Sequence, residues 1–82
     1  MKIEELNELS GIVVDECIRI HRDLGPGLLE NVYEIVLAGA LERRGLTVDR
    51  QVPVDIHFDG MDFPAAFRID LKVNNILLLE IK

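Results

Sequence analysis

The residues best suited to do chemistry lie at the end of the chain. Glu80-Ile81-Lys82 sets a carboxylate and an ammonium two residues apart, a spacing that puts both on one face of a strand. Such triplets are common on half-exposed strands, so the triplet alone says little. Asp70, one strand earlier, makes it more specific. Two carboxylates on neighbouring strands come within about 5 Å at their β-carbons and can share one divalent cation. Magnesium in particular takes a few carboxylates, several waters and phosphate oxygens. A lysine on the same face can steer a water or stabilise charge developing on a phosphate.

Whether Asp70 meets Glu80 depends on the turn at Asn74-Asn75. With a strict two-residue loop, Val73 opposes Ile76 and Ile69 opposes Glu80, which puts a carboxylate on an apolar face. With one more loop residue, Asp70 opposes Glu80 and Arg68 opposes Lys82. Ile69, Leu71, Val73, Leu77, Leu79 and Ile81 then share one face. A one-residue slip turns every side chain over, so burial selects the second register and predicts a three-residue or bulged turn. Asp70, Glu80 and Lys82 are thereby expected on one side of adjacent strands.

Two helices precede these strands. Leu6, Leu9, Val13, Cys17, Ile20 and Leu24 recur at steps of three and four, which predicts an amphipathic helix over residues 3–24. Gly25-Pro26-Gly27 ends it. A second stripe of Leu29, Val32, Tyr33, Val36, Leu37, Ala40 and Leu41 predicts a helix over 28–44, with Arg43 and Arg44 at its negative end and Gly45 as a left-handed C-cap. At 100° per residue Glu30 falls between Leu37 and Leu41, in the apolar arc. A carboxylate there must be paired, hydrogen-bonded or metal-bound; alternatively, with Gly27 as N-cap, Glu30 is the acid at N3 that complements the helix start. Both readings stand on the sequence.

From Leu46 the period becomes two. Val52, Val54, Ile56 and Phe58 face one way and Gln51, Pro53, Asp55 and His57 the other. Asp59-Gly60 marks a hairpin, and Pro53 points to an edge strand or a bulge. The next strand carries Phe67 to Val73, and the last runs from Ile76 to Lys82. The fold class expected is α+β: two N-terminal helices packed on a three-stranded antiparallel β-meander.

Composition narrows the function. Eighty-two residues make one domain, and the scarcity of aromatics (three Phe, one Tyr, no Trp) calls for an aliphatic core. A net charge of −6 argues against a protein that coats nucleic acid through a basic field, without excluding an acidic site that holds a metal. A single cysteine excludes an internal disulfide framework and points to a reducing setting. The start lacks a signal-peptide pattern, and no apolar run approaches the roughly 20 residues of a membrane span, so a cytoplasmic chain with no membrane partner is expected. His21 and His57 lack partners at zinc-ligand spacing, Cys17 reads as a small core residue, and no phosphate-binding glycine loop is present. Tyr33 either touches substrate and braces Glu30 or is simply core. Arg68, on the face of Asp70, is the stronger candidate for a phosphate contact.

Gly27-Leu28-Leu29-Glu30-Asn31-Val32-Tyr33 resembles the signature of the GxxExxY protein family, and His21 to Gly27 and Arg50-Gln51-Val52-Pro53 are similar to it too. That family belongs by fold to the PD-(D/E)XK nuclease-like group, whose core is a helix, a three-stranded meander, a second helix and a further strand. The resemblance implies a hydrolase that cleaves DNA or RNA phosphodiesters with Mg2+ or Mn2+. It implies Glu30 as the helix-borne acid, Asp70 as the metal-binding aspartate, Glu80 and Lys82 as the paired motif, and the Ile81 carbonyl as a further metal ligand. The family continues past this lysine, so residues 1–82 are expected to form a single nuclease-like domain without its C-terminal helix and strand. On that expectation the apolar face of the last two strands lies uncovered, open to a homodimer. A catalytically inactive interaction module or dimerising scaffold is the alternative.

Overall fold

The computed structural model describes residues 3–81. Helices α1 (Ile3–Leu24) and α2 (Glu30–Arg43) precede strands β1 (Val48–Phe58), β2 (Met61–Val73) and β3 (Leu77–Leu79). The strands form one antiparallel sheet in the order β1-β2-β3. The α+β class, the meander and the edge position of β1 are as expected, and β1 also carries a bulge between Val54 and Ile56.

Local signals set the joints. Gly25, at φ 84°, ends α1 with its N–H on the His21 carbonyl at 2.9 Å. At the end of α2, Gly45 N–H reaches the Glu42 carbonyl at 2.9 Å and Leu46 N–H the Leu41 carbonyl at 3.2 Å. This double bond pattern around a glycine at φ 84° is a Schellman cap. Asp59 (φ 53°) and Gly60 (φ 74°) make a two-residue hairpin turn between Phe58 and its partner Met61. The second hairpin pairs Val73 with Leu77 across Asn74-Asn75-Ile76, so the three-residue turn selected by burial is the one that forms. Asn74 also ties the turn to the start of β1: its N–H donates to the Thr47 carbonyl at 2.8 Å, and its Oδ1 accepts from Thr47 N–H at 2.8 Å.

The core joins Leu9, Val13 and Ile20 of α1 to Leu37, Ala38, Ala40 and Leu41 of α2, closed below by Leu71 and Val73 of β2. Leu71 and Val73 are fully buried, and Leu77, Leu79 and Ile81 pack against the same cluster. This corrects the expectation of a bare strand face: the two helices cover it, and the homodimer expected there loses its surface. The helical stripes pack as expected at Leu9, Val13, Cys17 and Ile20 and at Tyr33, Val36, Leu37, Ala40 and Leu41, but they differ at their ends and in two acids. Leu24, Leu29 and Val32 are exposed, while Glu16 and Glu34 are buried. The charges of these acids hid their positions, because the periodicity argument counts only apolar residues.

The helices cover only the near half of the sheet. Every residue from 55 to 68 is exposed, so the β1–β2 hairpin projects as a two-stranded arm bearing Phe58, Met61, Phe63 and Phe67. The radius of gyration is accordingly 14.6 Å, against about 12 Å for a compact chain of this length. Among the described residues no helix is long and apolar enough to cross a membrane.

Candidate functional site

Glu30 opens α2. Its N-cap is Leu29, extended at φ −64° and ψ 148°, with no side-chain capping bond. Glu30 is therefore the first helical residue, not the third after Gly27, and the capping arrangement considered for it does not form. A turn at Pro26-Gly27 leads to Leu28, which packs against the core, and to the extended Leu29, so the helix begins later. Glu30 is exposed at the turn's mouth, where its charge still complements the helix start.

One turn further on, the same helix face carries Glu34. This is the acid that lies in the apolar arc, with 5% of its surface exposed. Arg50 grips one oxygen through Nη2 at 2.9 Å and Nε at 3.3 Å, and the Gln51 amide donates to the other at 2.7 Å. Both partners come from β1, where Gln51 has a left-handed backbone at φ 53°. A second buried acid, Glu16 of α1, receives Arg19 at 2.6 Å and Arg44 at 3.1 Å. The Arg19 hydrogen bond, reinforced by Arg44, lowers its pKa against the opposing effect of burial. Arg44 thus links the end of α2 to α1, a role beyond the helix-end one expected of it.

Asp70 is half-buried and its Oδ2 accepts from Ile81 N–H at 2.7 Å. The pairs Leu71–Leu79 and Val73–Leu77 put Asp70 across from Glu80 in register, as the burial argument required. The carboxylates nevertheless line different cavities. A cavity of about 160 Å³ is bounded by Glu30, Asn31, Glu34, Gln51, Asp70 and Ile81. A larger one of about 430 Å³ adjoins it, lined by Glu30, Ile81, Glu80, Tyr33, Cys17 and His21 among others. Glu30 and Ile81 form the shared wall. Regular pairing stops at Leu79, and beyond it the Ile81 amide docks on Asp70 while Glu80 lines the larger cavity.

The convergence expected of Glu30, Asp70 and Glu80 is thus partial. Among the described residues no three acidic, histidine or cysteine side chains stand close enough to hold one ion. The donor chemistry still fits magnesium or manganese in kind: carboxylate and carbonyl oxygens are the ligands these cations prefer. Neither cavity is lined by lysine or arginine among the described residues.

Lys82 lies outside the described residues. Arg68 is exposed on β2 opposite Pro53 and borders neither cavity. Tyr33 is half-buried, packed against the core and lining the larger cavity. Burial, followed by its interaction with Cys17, pushes the Tyr33 phenol up to about 12. It is therefore a neutral hydroxyl at physiological pH, unsuited to act as a base. Cys17 is half-buried on the same wall.

A helix-borne acid, an aspartate on the central strand and a glutamate beyond it are thus grouped around adjoining cavities. The family model described as PD-(D/E)XK nuclease superfamily matches residues 7–82. The chain belongs to the PD-(D/E)XK nuclease superfamily. No curated protein and no solved structure matches it. The α+β architecture, two helices followed by a three-stranded antiparallel sheet, is consistent with this superfamily's fold. Sequence reasoning missed Glu34 and Gln51 at this site. A signal was available, since Glu34 lies four residues after Glu30 and so shares its helix face.

Proposed function

We propose that this protein is a metal-dependent nuclease of GxxExxY type that hydrolyses phosphodiester bonds of DNA or RNA. The observation that carries the reading is the superfamily membership joined to one cavity lined by Glu30, Asp70 and Ile81. In this reading Asp70 and the Ile81 carbonyl would hold Mg2+ or Mn2+, with Glu80 reaching it from the adjoining cavity and Glu30 joining directly or through water. The bound cation polarises the phosphate and makes the attacking water more acidic. Lys82 orients that water, the Tyr33 hydroxyl contacts substrate from the larger cavity, and the Arg68 guanidinium contacts it outside both cavities, farther along β2. The acidic lining supports a requirement for the cation, because a phosphate anion meets these carboxylates unfavourably without one. The single cysteine fits action in the reducing cytoplasm.

Cleavage of a fluorescently labelled oligonucleotide in Mn2+ tests the reading. Wild-type protein is expected to cleave, with activity lost on chelation, and Asp70→Ala is expected to remove it. Cleavage that survives Asp70→Ala, or is indifferent to metal, overturns the assignment.

A further inference from the structure

The smaller cavity contains a side chain whose orientation is fixed from behind. Glu34 is buried, and its carboxylate offers only acceptors. The Gln51 group 2.7 Å from it must therefore be the amide nitrogen, which leaves the carbonyl Oε1 as the free end. Arg50 occupies the other Glu34 oxygen, so the carboxylate itself is held. The left-handed backbone of Gln51 (φ 53°) is a conformation that non-glycine residues keep only where the surroundings impose it.

Register brings this amide to Asp70. Arg50 pairs with Leu71 and Val52 with Ile69, so Gln51 stands across from Asp70, and both line the same cavity. Asp70 Oδ2 is engaged by the Ile81 amide at 2.7 Å, which leaves Oδ1. The cavity therefore presents one charged acceptor and one neutral acceptor, each with its other atom already bonded.

We propose that Gln51 is a catalytic residue whose Oε1 accepts a hydrogen bond from the attacking water, while Asp70 accepts the other. With both protons engaged, the oxygen lone pairs turn toward the open side of the cavity, where a phosphodiester is presented. The water oxygen forms the new P–O bond as the P–O bond to the leaving sugar oxygen breaks, one water proton passes by way of Asp70 to solvent, and the leaving oxygen takes a proton from solvent. Glu34 is the positioning residue that keeps the Gln51 amide from turning over. A neutral acceptor suits this role because it orients the water without adding another negative charge beside Asp70. The inference rests on the hydrolytic reading above.

The test joins two measurements. The first is NMR of the 15N-labelled protein titrated with Mn2+ alone. The Gln51 side-chain amide signals are expected to broaden at the same stoichiometry as the Asp70 backbone amide. The second is oligonucleotide cleavage by Gln51→Met, which keeps the Glu34–Arg50 pair. It is expected to lower kcat on the order of 10²-fold, the scale of losing one oriented hydrogen bond at a reacting centre, with KM little changed. Absence of Mn2+ broadening anywhere, or of cleavage by the wild type, overturns the hydrolytic reading and this inference with it. Broadening at Asp70 with sharp Gln51 amide signals, or an unchanged kcat in Gln51→Met, overturns this inference alone.

Discussion

Arg50 and Glu34 are bonded to each other but differ sharply in exposure, and that difference predicts an asymmetric response to mutation. The Glu34 side chain is 6% exposed and the Arg50 side chain 43%. In Arg50→Ala the largely buried carboxylate keeps only the Gln51 amide, and stranding a buried charge in this way costs about 3–5 kcal/mol. In Glu34→Met the guanidinium returns to solvent and the methylenes remain packed. The loss is then about 1–2 kcal/mol, the worth of a partly exposed charged contact. A chain of this size has roughly 4–12 kcal/mol of total stability, so the first variant loses a large share and its Tm falls by at least about 12 °C. Combining the two substitutions removes the stranded charge. The double variant is expected to be more stable than Arg50→Ala by about 2 kcal/mol, since an apolar replacement of a buried pair is near neutral. Urea unfolding followed by far-UV circular dichroism measures all three. If Arg50→Ala is unfolded at 25 °C, the double variant should regain a cooperative transition. An Arg50→Ala cost no larger than that of Glu34→Met, or a double variant that shows the sum of both losses, refutes the reasoning.

Two pH responses follow from the other perturbed groups. Arg19, with Arg44, lowers the Glu16 pKa, so the stability Glu16 contributes is complete above the ordinary glutamate range. It is lost as pH falls below about 4 through the depressed folded value. Thermal melts from pH 6 to pH 2.5 should show this loss, and Glu16→Gln should flatten the curve; an equally steep curve in the variant counts against it. Tyr33 is the single tyrosine, so phenolate absorbance at 295 nm reports it alone. The folded protein should titrate near 12, with Tyr33's contribution to stability complete below about pH 10 and lost as pH rises toward the folded value. A midpoint near 10 while the far-UV signal remains native contradicts the buried environment.

Much of the fold was legible because its signals are local. Gly25 and Gly45 ended the helices where the chain needs a left-handed residue, and Asp59-Gly60 closed the first hairpin. The register of β3 was legible for a different reason: side-chain parity is strict, so only one alignment puts Leu77, Leu79 and Ile81 on the face of Leu71 and Val73. The site was less legible. Asp70 and Glu80 were found opposite one another, but their separation into adjoining cavities depends on the Ile81 amide meeting Asp70, a contact that no spacing rule contains. Glu30 was read as the acid of the apolar arc, whereas the buried position belongs to Glu34 one turn later.

The sequence by itself determined the order of elements, their turns, the pairing of the strands and the superfamily, since periodicity, turn chemistry and motif are properties of neighbours along the chain. Only the tertiary structure decided which sheet face the helices cover, and that Glu16 and Glu34 are buried. It also decided that Glu34 holds Gln51 at the cavity that Asp70 lines. Burial of a charge depends on a partner that arrives from elsewhere: Arg50 reaches Glu34 from 16 residues away and Arg44 reaches Glu16 from 28. Packing brings such partners together, and local pattern does not encode them.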